Sequence, residues 1–198
     1  MIDSLLKFLE LGLYHIISFN SYDHILFLVV LAAPYLFKDW KRLLLLISFF
    51  IIGHTLSLVL GVYGIINLKV NVVEWLIPFT IIIMALYNVL TAGKASKQSN
   101  PIIIVCLVLF FGFIHGLGFA NSFKALVSSN ESMLLSVIEF ALGLELGQFV
   151  IVFCVLFFSF IGQTIFRFSS RDWLMVLSSV VIGLMLPLII NSPLFIEH

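Results

Sequence analysis

The sequence predicts an all-α, polytopic integral membrane bundle of six to seven transmembrane helices, and three observations carry that reading. The 198 residues are 62% hydrophobic and only 10% charged, whereas soluble domains run nearer half apolar and a quarter charged. So few charges cannot solvate the outside of a soluble domain. The apolar residues fall in repeated runs of roughly 16–25, which cross a hydrocarbon core about 30 Å thick at 1.5 Å rise per residue. Lysine and arginine gather in alternate connections between those runs, as the positive-inside rule requires. One transmembrane domain over 1–198 is expected, because no low-complexity tract or internal repeat divides the chain.

Taken in order, helices are expected near 4–19, 22–37, 42–63, 72–92, 101–120, 132–164 and 172–190. The first stretch, Leu5 to Ser18, carries Lys7, Glu10 and His15 and no small-residue cleavage site. It reads as a retained helix rather than a signal peptide. The first two runs, parted by Asn20-Ser21, are short for full spans and fit a re-entrant or tilted pair, hence six or seven. Lys38, Lys41 and Arg42, then Lys94 and Lys97, then Arg167 and Arg171, occupy alternate loops, against only Lys69 and Lys124 in the others. Lys7 joins the first group if the first run spans fully. The loops after 37, 92 and 166 are therefore expected to be cytoplasmic, and the loop at 64–71 and the carboxy terminus external. A bacterial inner membrane is the expected location.

Other features are explained by the bilayer alone. Trp40, Trp75 and Trp173 sit near helix starts, where interfacial indole is common. The 21 phenylalanines read as packing and lipid-facing surface. Cys106 and Cys154 lie inside apolar runs without metal-type spacing. With ten basic and ten acidic residues the net charge is zero, so nucleic acid is not an expected partner. Membrane lipids are.

Ionisable groups inside a span are costly unless paired, so the few present are informative. His15, Asp23-His24, His54 and His115 are in or beside apolar runs, leaving only His198 terminal. Glu139 and Glu145 lie in one helix, with Gln148 one turn after Glu145, and Glu74 and Asn88 fall on nearly one face of another. Neutral imidazole with carboxylate is a ligand set for nickel, cobalt, zinc or iron, and equally for a proton relay. His54 lies about 18 Å and His115 about 21 Å from the expected inner boundary at 1.5 Å per residue. Asp23 and His24 are expected to start their helix at the outer side. One site in the outer half of the membrane, open to the outside, would follow. Glycines 53, 112, 116, 143 and 147 flank these polar residues and let helices approach closely.

The motifs, in this order, resemble the HupE/UreJ family. They are His15 followed by Asp23-His24-Ile25-Leu26-Phe27-Leu28, Gly53-His54-Thr55-Leu56-Ser57-Leu58, and Val73-Glu74-Trp75-Leu76-Ile77 with Asn88. His115-Gly116-Leu117-Gly118-Phe119-Ala120 and Leu142-Gly143-Leu144-Glu145-Leu146-Gly147-Gln148 complete the set. Tyr22 stands where the family pattern has a glycine before Asp-His. The resemblance implies a nickel or cobalt permease, or an accessory factor with partners in metalloenzyme maturation; a homo-oligomer is left open. Its metal ligands would map onto His15, Asp23, His24, His54 and His115, with Glu145 a further candidate and Gln148, Glu74 and Asn88 around them.

Three functions compete. A carrier would capture a divalent metal at Asp23, His24 and His15 and pass it to His54 and His115. An intramembrane metal-dependent hydrolase or acyltransferase, acting on a lipid or lipoprotein, would use three ligands, an open position, and Glu145 or Asp23 as general base. A structural or proton-coupling subunit needs no metal.

Overall fold

The computed structural model describes residues 2–18, 22–93, 101–128 and 131–192. The expected Asn20-Ser21 separator, the Lys94 and Lys97 loop and His198 lie outside the described residues. Seven α-helices follow one another: α1 (Ile2–Ile17), α2 (Tyr22–Ala32), α3 (Trp40–Val62), α4 (Val70–Thr91), α5 (Pro101–Leu126), α6 (Met133–Phe160) and α7 (Ser170–Ile190). A 3-10 turn at Phe37–Asp39 precedes α3, and a π turn at Ile161–Ile165 extends α6. There is no strand among the described residues.

Five helices, α3 to α7, are each long and apolar enough to cross a membrane. The segments Leu6–Ile17 and Tyr22–Ala32 pass that test only together, and their axes meet at 69°. Taken together the first two runs make one bent span, which gives six spans among the described residues, against five without it. The second run ends at Ala32, short of the expected 37, because Pro34 has no N–H to continue the ladder. Pro34 would have been the i+4 donor to the Val30 carbonyl. Instead Asn88 Nδ2 reaches across from α4 and donates to it at 2.7 Å. In a membrane an orphaned carbonyl must find such a partner.

The helices pair α3 with α5, α1 with α6 and α4 with α7. In the first two pairs glycine permits near-contact of the main chains. A Cβ on Gly112 would collide with the Phe50 carbonyl, and one on Gly116 with the His54 carbonyl and Ser57 Oγ. Residues 50 to 57 thus match 112 to 116 in rising order, so α3 and α5 run in the same direction. Gly12 against Phe140, and Gly147 against Leu13 and Ile16, show the same for α1 and α6.

Chain direction fixes which ends lie together. Lys7 Nζ pairs with Glu131 at 3.2 Å, so α1 starts where α6 starts. The Ser128 main-chain N–H and the Lys7 ammonium together hold the Glu131 carboxyl below the usual carboxylate range. Lys7 therefore does not join Lys41 and Arg42, as a full first span would have required. It lies at the opposite end, with Lys124. Cys106 and Cys154 are free and exposed, so of the two positions open to a thiol in an apolar run, core or surface, both take the surface.

Candidate metal centre

The break between α1 and α2 brings a helix C-terminus and a helix N-terminus to the level of His54 and His115. His15 occupies the last turn of α1, and Asp23 the first turn of α2. Such a half-helix leaves unpartnered amides inside the bilayer, where a carboxylate is favoured. Asp23 Oδ1 accepts from the His24 main-chain N–H at 2.9 Å and faces His24 Nδ1 at 3.0 Å. Asp23 and His24 thus stand at the break between the two segments, beside His15.

His24 is the hub. Its ring centroid lies 5.0 Å from His15, 5.0 Å from His115 and 6.0 Å from His54. One ring nitrogen each from His15, His24 and His54 lies within 4.8 Å of the others. Nitrogens on one tetrahedral ion stand about 3.3 Å apart for bonds of 2.0–2.1 Å. Small imidazole rotations span that difference. His115 stands beside the trio, with Nδ1 donating to the Phe111 carbonyl at 2.7 Å.

The ring nitrogens fit a metal by what they lack. Nε2 of His15, His24 and His115, and both nitrogens of His54, are buried without a hydrogen-bond partner. Unsatisfied buried polar atoms are rare and call for a ligand. In His24 and His115 the partner of Nδ1 is an acceptor, so in a neutral ring the proton sits on Nδ1 and Nε2 keeps its lone pair. A carboxylate or carbonyl behind an imidazole is the usual arrangement at metal-binding histidines.

The surroundings are asymmetric. Toward the Trp40 end, Phe27 stacks on Phe50 at 4.8 Å, with Phe111 6.0 Å from Phe27. These rings also touch His115, at 5.7 Å from Phe27 and 5.3 Å from Phe50. Toward the Glu131 end lies a cavity of about 300 Å³, lined by His15, Asp23, His24, His115, Glu74 and Asn121 together with apolar side chains. The histidines thus have a polar approach on one side and an aromatic floor on the other.

The remaining sequence candidates are placed as follows. Gln148 is buried, with neither amide atom bonded, one residue after Gly147 and so level with Ile16 beside His15. Glu74 is exposed at the cavity wall, not packed around the histidines. Asn88 is spent on the Val30 carbonyl and does not line the cavity. Glu145 is only partly buried and belongs neither to the close group of ligand atoms nor to the cavity. The structure does not bring it to the histidines. Asn121 went unread because α5 was expected to end at 120, whereas it runs to Leu126. Glu139 is buried in α6, at 3% exposure, away from the cavity lining.

Searches of curated proteins and of solved structures return no match. Comparison with protein families matches residues 1–191 to the HupE / UreJ protein family. That span includes every histidine of the cluster, the broken first span and the cavity wall, and the chain therefore belongs to the HupE/UreJ family.

Proposed function

We propose that this protein takes up a divalent transition metal, nickel, cobalt or zinc, into a histidine site within the membrane. The single observation behind this is the His15, His24 and His54 cluster, in which one ring nitrogen of each lies within 4.8 Å of the others and each ring buries a nitrogen without a hydrogen-bond partner. His15, His24 and His54 are the proposed ligands, with His115 alongside and Asp23 orienting His24. The cation arrives from the Glu131 end through the polar cavity, which the positive-inside pattern assigns to the outer face of a bacterial inner membrane. Onward passage requires Phe27 to leave its stack with Phe50, so the arrangement is that of a holding state closed toward the Trp40 end.

The test is metal stoichiometry of detergent-purified protein, wild type against His54→Ala, by elemental analysis and Co²⁺ absorption. About one ion per chain, lost in the variant, supports the reading; equal and negligible metal in both refutes it. A second reading, metal-dependent hydrolysis or acyl transfer, is favoured by one observation: two of the three clustered histidines, His15 and His24, line the cavity, and three imidazoles would leave a fourth position for water or substrate. Tight, non-exchanging metal selects that reading and exchangeable metal selects the carrier. The orientation is tested separately with Asn67→Cys and an impermeant thiol reagent. Labelling from outside intact cells is expected, and labelling only from inside would invert the topology.

A further inference from the structure

The cavity beside the histidines is much larger than a bare ion needs. Its 300 Å³ or so corresponds to on the order of ten waters at about 30 Å³ each. An octahedral aqua ion carries about six. By volume there is room for the whole hydrated cation.

The polarity of the lining matches the same guest. Asp23 and Glu74 contribute carboxylates from α2 and α4, and Asn121 an amide from α5. The Glu74 main-chain carbonyl also lacks the usual i+4 amide, because that position is Pro78. His24 and His115 line the cavity at only 4% and 1% exposure. Their Nε2 atoms are themselves buried without a partner, while Nδ1 pairs with Asp23 and with the Phe111 carbonyl respectively. Two carboxylates and an amide thus stand together in an otherwise largely apolar wall. An aqua ion presents only O–H donors outward and carries positive charge. Val73, Ile77 and Leu117 supply wall without competing hydrogen bonds.

We propose that this cavity is an outer-sphere site for a hexahydrated divalent cation, held through its waters by Glu74, Asn121 and the Asp23 carboxylate before imidazoles replace those waters. The site deepens the metal reading above and rests on it. Glu74 in this scheme governs admission and is not a ligand of the final centre.

Hexaamminecobalt(III) tests it, because it copies the size and donor shell of an aqua ion but cannot exchange its ligands. Calorimetry on metal-free protein in detergent should show it binding, and saturating amounts should slow Co²⁺ loading, followed by absorption. Glu74→Gln should weaken hexaamminecobalt(III) binding about tenfold, the loss expected for one charge-assisted hydrogen bond, while Co²⁺ still reaches full stoichiometry more slowly. Asn121→Leu, on a different helix, should act in the same direction. Unchanged Co²⁺ loading under saturating hexaamminecobalt(III) would overturn the outer-sphere site and leave the histidine centre standing. Loss of Co²⁺ stoichiometry in Glu74→Gln would make Glu74 a ligand and also overturn it. If wild-type protein binds no Co²⁺ at all, the metal-centre reading falls, and this proposal with it.

Discussion

Two pairs of segments deliver the four clustered histidines, and they do so in opposite ways. His54 and His115 sit in the middle of α3 and α5, unbroken helices locked together where Gly112 and Gly116 meet the carbonyls of Phe50 and His54. His15 and His24 sit on either side of a break, in half-helices whose axes diverge by 69°. The first pair is held by main-chain contact. In the second pair α1 has the same kind of main-chain contact with α6, whereas α2 is held by side chains: the Asn88 bond to Val30 and the Asp23 bond to His24. Broken spans of this kind place polar backbone at mid-membrane only where protein or a polar cavity receives it. The comparison divides the labour: α1 on α6 and α3 on α5 form the frame, and α2 is the adjustable side of the site.

Substitutions can break that comparison. The largest effect should come from His24→Ala, which removes the ring that touches the other three. Metal affinity should fall by more than about 100-fold, beyond the 10–100-fold typical of a supporting residue, with the detergent melting temperature little changed. Equilibrium dialysis with Co²⁺ measures it, and retained affinity would show that the hub is elsewhere.

Asp23→Asn should come next. The amide oxygen keeps the bond to the His24 N–H and preserves the start of α2, but loses the charge behind the imidazole. Affinity should drop about 10–100-fold without loss of fold. A fall in both would mean that Asp23 is structural first.

On the frame side the order of effects should reverse. Gly116→Ala forces a methyl into the His54 carbonyl and Ser57, and overpacking of this kind costs about 1–3 kcal/mol. Stability in detergent should fall first, and metal binding only as a consequence. Gly183→Ala is the control, since nothing lies within 4 Å of a Cβ there. A helical glycine replaced in open space should be neutral or stabilising by about 0.5–1 kcal/mol.

The smallest effect is expected of Glu145→Gln. Glu145 lies on the flank of α6, outside the cavity, so metal content and melting temperature should both match wild type. A marked loss of metal at normal stability would return it to the ligand set.

The amino-acid sequence by itself determined the class of molecule and the chemistry available to it. Apolar run lengths and Lys/Arg placement demanded a helical membrane bundle, and the cost of burying imidazole marked His15, His24, His54 and His115 before any coordinates. For His54 and His115 the position along the bundle was also legible, because an unbroken helix converts residue count directly into distance. Only the tertiary structure decided the rest. Counting cannot cross the break before Tyr22, so the level of Asp23 and His24 depended on how α1 enters. Nor could counting show which side of α6 faces inward. That helix is apolar almost all round, so no amphipathic contrast sets its rotation. Packing of Gly143 and Gly147 on α1 settled it, turning Gln148 in and Glu145 aside. Asn88 was likewise readable as a costly polar group, but its partner, a carbonyl orphaned by Pro34 on another helix, exists only once the chain is folded.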